Sequence, residues 1–152
     1  MAPEHVNVGP GEGRTIAGPV GGPLTFKVAG TDTGGALTAF ENVIPPGQGP
    51  PLHTHDAEDE AWYVIHGSLR FQIASEESEA QQGSFVYVPR GTPHAFRNDS
   101  DEETRILVIF TPAGMEAFFE GFAEVPKSEL GPDTFVKHGE PVGMKIVGPP
   151  LS

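Results

Sequence analysis

Two histidine-bearing segments within residues 47–98 constrain this chain more than any other feature. The first reads Gly47-Gln-Gly-Pro-Pro-Leu-His53-Thr-His55-Asp-Ala-Glu-Asp-Glu60 and continues through Ala-Trp-Tyr-Val-Ile-His66 to Gly67. The second reads Gly83-Ser-Phe-Val-Tyr-Val-Pro89-Arg-Gly91-Thr-Pro-His94-Ala-Phe-Arg-Asn98. Both are β-type sequence closed by Gly and Pro turns. Side chains at i and i+2 share a face of a strand, so His53 and His55 project together. The turn Asp56-Ala57-Glu58-Asp59 returns the chain into a strand that starts at Glu60. His94 arrives from a later strand after a Gly-Thr-Pro turn.

Three neutral imidazoles and one carboxylate suit a divalent first-row metal. The set carries one negative charge, so a bound dication leaves the site at about +1. An octahedral ion would keep two positions open, as a catalytic site needs and a structural zinc site does not. Nothing in a His3Glu set chooses among Fe, Mn, Ni, Co, Cu and Zn.

These segments match the paired motifs of the cupin superfamily, G-x5-H-x-H-x4-E-x6-G and G-x5-P-x-G-x2-H-x3-N, at every fixed position. Only fifteen residues, Ser68 to Gln82, lie between them, which resembles the compact microbial monocupins. The wider chain is similar to bacterial monocupins labelled quercetin dioxygenase-like. The resemblance implies a double-stranded β-helix, or jelly-roll, barrel with one metal ion per chain on His53, His55, Glu60 and His94. It also implies that Glu60 can leave the metal and act as a base, and that two barrels pair as a homodimer.

Composition supports an all-β barrel. At 152 residues the chain is long enough for one domain with its own core. Its 20 Gly and 16 Pro fall between apolar runs and have no collagen period, so they read as turns. A net charge of −12 disfavours nucleic acid and anionic membranes as partners. The absence of Cys excludes disulfides and thiol catalysis. No basic and apolar leader opens the chain and no run is long enough to span a bilayer, so a cytoplasmic protein is expected.

Along the chain, residues 1–22 read as an arm with Val6, Val8 and Ile16 as its anchors. Residues 23–112 read as the barrel and 113–152 as a helix and tail packed on it. Strands are expected at Leu24–Ala29, Ala36–Ile44, Ala61–Ile65, Leu69–Ile73, Phe85–Val88 and Thr104–Phe110, with turns at Asp32–Gly35 and Ser75–Ser78. One short helix is expected, capped by Thr111 with Pro112 at its first position. Met115, Phe118, Phe119 and Phe122 then form one apolar face that packs on the outside of the barrel, the alternative being a lid over its mouth. The tail reads as loop with a last edge strand at Val142–Val147.

Parity places Trp62 and Val64 with Glu60, and Phe96 with His94, facing inward. Phe40, Phe71, Phe85 and Tyr87 are further candidate pocket liners. His66 lies about 20 Å along its strand from Glu60 and is excluded as a ligand. His5 and His138 read as surface residues, Asn98 as a turn residue or a support behind the ligands, and Asp56, Glu58 and Asp59 as a solvated turn.

The resulting functional expectation is a metal-dependent dioxygenase acting on a flavonol-like or other enolisable aromatic or β-dicarbonyl molecule, with O2 as co-substrate and Glu60 as base. One alternative is a non-oxidative monocupin, such as a polyketide cyclase or isomerase, using the metal as Lewis acid. Another is a small-molecule-binding cupin without turnover.

Overall fold

The computed structural model describes residues 3–152. The strands are β1 (Arg14–Ala17), β2 (Pro23–Val28), β3 (Thr38–Ile44), β4 (Pro51–His55), β5 (Asp59–His66), β6 (Ser68–Ile73), β7 (Glu76–Gln81), β8 (Phe85–Val88), β9 (His94–Arg97), β10 (Thr104–Thr111) and β11 (Met144–Pro150). Three helices interrupt them: α1 (Gly30–Thr33), α2 (Glu116–Ala123) and α3 (Thr134–Gly139). One sheet has the order β1-β2-β3-β10-β5-β8 and the other β11-β4-β9-β6-β7. The pairing is antiparallel throughout, so the two sheets form the jelly roll that the sequence implies.

Alternation sets the inner faces. Along β10, Thr104, Ile106, Val108 and Phe110 are buried while Arg105 and Thr111 are exposed. The register then aligns three inward rows: Thr38–Phe110–Glu60, Phe40–Val108–Trp62 and Asn42–Ile106–Val64. Ring contacts such as Phe26–Phe40 at 5.9 Å and Phe71–Phe96 at 5.6 Å continue the core in both sheets.

Several elements differ from the sequence reading. Thr111 stays extended because it pairs with Asp59, so α2 starts only at Glu116. Its apolar face does not pack outside the barrel. Phe119 lies 4.8 Å from Phe40, and Met115, Phe118 and Phe119 close the mouth between the sheets. Burying Met115, Phe118, Phe119 and Phe122 stabilises this cover by about 1.5–3 kcal/mol each. The tail is not simply loop, since α3 brings Phe135 to 4.9 Å from Phe122. Gly34 supplies the left-handed residue that ends α1 where a plain turn is expected. Glu76–Gln81 forms an edge strand rather than a charged turn, with only Ala80 buried; its charges guard that edge. In the N-terminal segment Val6 and Val8 are exposed, whereas Ile16 is half-buried and Val20 is buried. Among the described residues no helix is long and apolar enough to cross a membrane.

Glu116 fastens the cover. Its carboxylate accepts from the Gly30 and Gly114 amides at 2.8 Å and from the Thr38 hydroxyl, joining α1, β3 and α2. Burial opposes its charge, but these donors prevail and hold its pKa below the ordinary carboxylate value. Its contribution is therefore present above the unfolded pKa and lost as pH falls through the depressed folded value. Glu116→Gln is expected to lower stability by about 1–3 kcal/mol near neutral pH, with faster amide exchange in α2, and the deficit should shrink in acid. Urea unfolding and hydrogen exchange across a pH series measure both effects.

Candidate metal centre

β4 carries His53 and His55 at alternate positions on its buried face. His94 opens β9 and pairs directly with His53. Glu60 comes from β5 in the opposite sheet, its row completed by Phe110 and Val88. All four side chains are buried, and one donor atom from each lies within 4.8 Å of every other. The spacing read from the sequence thus brings together the four residues it singled out.

Hydrogen bonding fixes two of the imidazoles. Nδ1 of His53 donates to the Pro51 carbonyl at 2.7 Å, and Nδ1 of His94 to the Thr92 carbonyl at 2.9 Å. Each ring's Nε2 is thereby the free donor atom. Glu60 Oε1 sits 3.0 Å from Nε2 of His55 and 3.1 Å from Nε2 of His94. A carboxylate oxygen and an unprotonated imidazole nitrogen both present lone pairs, so this approach needs a cation or a proton between them. Metal bonds of about 2.1 Å put neighbouring ligand atoms about 3 Å apart, which matches. The donor set fits a first-row dication.

The titration behaviour follows from the same contacts. Burial, then the neighbouring His94 and His55, lowers His53 to about 3, so it stays neutral and ready to ligate. Burial opposes the charge of Glu60, but hydrogen bonds to His55 and His94 prevail and bring it down to about 2. Burial likewise works against charge on His94, yet the Glu60 carboxylate prevails and raises its pKa. With His94 Nδ1 on the Thr92 carbonyl, a proton or a metal ion between its Nε2 and Glu60 accounts for their 3.1 Å approach.

Beside this cluster lies a narrow cavity of about 50 Å³. Trp62, Phe96 and Phe40 are among the residues that line it. Val64 and Phe71 are fully buried but lie outside the lining, Phe71 packing 5.2 Å behind Trp62. Phe85 and Tyr87 are not pocket residues, being 63% and 55% exposed. Val88 pairs with inward-facing Glu60, and that register turns Phe85 and Tyr87 outward to share a surface with Tyr63. The sequence reading missed Asn42 and Ile106 from the strands and Phe118 and Phe119 from the cover. For Asn42 a signal was present, since it shares parity with Phe40.

The acidic turn divides. Asp59 binds Arg90 and Asp56 binds Lys145, but Glu58 is buried with Oε1 unpaired, and burial raises its pKa. His66 and His5 are exposed, and His138 is half-buried beside Phe122. Asn98 is buried and bonds the Ile44 and Glu102 carbonyls, tying β9 to β3.

Replacing His53 or His94 by Ala is expected to reduce metal affinity by about 100-fold or more while the β-sheet circular dichroism persists. Elemental analysis after dialysis checks this. Stoichiometric metal in either variant contradicts the ligand set.

A profile of the Cupin domain family matches residues 40–110, which include all four cluster residues. The Bacillus subtilis quercetin 2,3-dioxygenase is 23% identical over 126 residues, 78% of this chain and 37% of that protein. The tetracenomycin polyketide synthase protein TcmJ of Streptomyces glaucescens is 29% identical over 119 residues, 78% of this chain and 68% of that protein. The structure of KdgF from Halomonas sp. superposes with a TM-score of 0.56 at 17% identity, covering 62% of this chain and 82% of that one. The chain spans about half the length of the curated relatives it matches, between 37% and 58% for three of them. With paired motifs, family match and jelly-roll topology in agreement, the chain is a cupin-superfamily protein.

Proposed function

We propose that this protein is a metal-dependent dioxygenase for a flavonol-like or other enolisable aromatic molecule. The observation that carries the reading is the convergence of Glu60 and three imidazoles on the wall of an apolar, aromatic cavity. The similarity to a quercetin dioxygenase over 78% of the chain supports it. His53, His55, His94 and Glu60 would hold the ion, which supplies open positions for a substrate oxygen and O2.

For the base role Glu60 would swing off His55 and His94 toward the cavity. Against His55 and His94 its proton affinity is low. Turned away from them, the burial that opposes its charge takes over and its basicity rises beside the cavity, where a substrate hydroxyl must give up its proton. The aromatic walls exclude water from that transfer and hold a flat molecule in place. A cavity of about 50 Å³ is smaller than such a molecule, so α2 lifts Phe118 and Phe119 to admit it.

The second reading is non-oxidative catalysis in the same pocket, with the metal as Lewis acid on a β-dicarbonyl. It is favoured by the polyketide synthase protein TcmJ, 68% of which is matched. Turnover without O2 distinguishes it from oxygenation.

Glu60→Gln is expected to retain part of the metal and lose about 100-fold or more in turnover. An oxygen electrode with quercetin as substrate, alongside elemental analysis, measures both. Wild-type turnover in this variant removes the base role.

A further inference from the structure

The two sheets end in unlike edges. β7 closes one sheet with Glu76, Glu77 and Glu79 exposed, charges that discourage another strand from pairing there. β8 closes the other with Phe85-Val-Tyr-Val88, which carries no charge at all. Phe85, Tyr87, Tyr63 and Ile65 are all exposed on or beside this edge. The register lays two outward rows across the sheet, Phe85–Tyr63–Leu107 and Tyr87–Ala61–Ile109, with Leu107 and Ile109 half-buried. Single apolar residues on a surface are ordinary, but a contiguous aromatic patch at an unguarded strand edge marks an interaction site.

Charge and size say what covers it. The acidic groups bordering the patch already have cations: Asp59 binds Arg90 and Glu41 binds Lys27, with Arg105 exposed at one end. The patch is therefore close to neutral in a chain of net charge −12, so two copies repel least when they meet there. A whole aromatic side chain presents about 150–250 Å², so the four exposed residues leave roughly 400 Å² of apolar surface. That approaches the apolar share of a standard interface, which buries about 800 Å² per partner.

We propose that this face, from the β8 edge across β5 to β10, is where a second copy of the chain docks as a twofold dimer. The family resemblance implies pairing but names no surface. In a twofold pair the same patch on each copy covers the other, so association closes at two and the open edge is removed. Tyr63 faces outward between the inward Trp62 and Val64, so the partner lies behind the strand that carries Glu60. The proposal rests on the outer face alone and stands apart from the chemistry proposed for the cavity.

The test is sedimentation of the full chain over about 1–100 µM, with Phe85→Glu and, as a control, Val147→Glu. Val147 is 52% exposed on β11 in the opposite sheet. Wild type is expected at twice the 16.1 kDa chain mass. Phe85→Glu should weaken association about 100-fold or more by bringing a charge into the patch, with circular dichroism unchanged. Val147→Glu should associate as wild type does. A wild-type monomer throughout, a dimer untouched by Phe85→Glu, or equal weakening by the control overturns the proposal. Should Phe85→Glu fail to fold, amide exchange in wild type decides: β8 protection that rises with concentration supports the interface, and protection independent of concentration overturns it.

Discussion

A carboxylate from one sheet meets imidazoles from the other at 3.0 and 3.1 Å, in a place from which water is excluded. His94 Nδ1 donates to Thr92, so its Nε2 and the Glu60 oxygen both present lone pairs at that distance unless a proton or a cation lies between them. Much of the surrounding structure serves to hold the groups there. Carbonyls of Pro51 and Thr92 orient two rings, the His53–His94 pair clamps β4 to β9, and Asn98 ties β9 to the opposite sheet. Burial alone would neutralise Glu60, whereas the rings keep it charged.

The cluster of His53, His55, Glu60 and His94 was legible in the sequence because it depends on short-range geometry. His53 and His55 share parity within one strand, and Gly and Pro turns at fixed offsets return Glu60 and His94 to the same level. Strand existence was readable for the same reason. Features set by pairing between distant strands were less legible. Phe85-Val-Tyr-Val88 is apolar on both faces, so composition cannot say which face is inside. Pairing of Val88 with Glu60 decides it, and the two aromatics face outward. Glu58 looked like one more charge in a solvated turn, yet its neighbours took the available cations and it was folded under. The helix Thr134–Gly139 is too short to show a period and is held by Phe135 against Phe118 and Phe122.

The cover over the mouth links fold to chemistry. Its phenylalanines complete both the hydrophobic core and the cavity wall, so opening the pocket means exposing core. The Glu116 carboxylate holds it to α1 and β3 through backbone amides, bonds that can break and re-form without repacking the sheets. Jelly rolls host many reactions, so the specific chemistry rests on the pocket: its four candidate metal donors and its apolar, aromatic walls.

Titration of the metal-free protein with cobalt(II), followed by visible absorption, tests the shared ion most directly. Binding of one equivalent per chain, with the weak d–d bands of a five- or six-coordinate ion, is expected from three imidazoles, one carboxylate and open positions. No stoichiometric binding, or spectra unchanged when Glu60 is replaced by Gln, would contradict the meeting of the two sheets on a single cation.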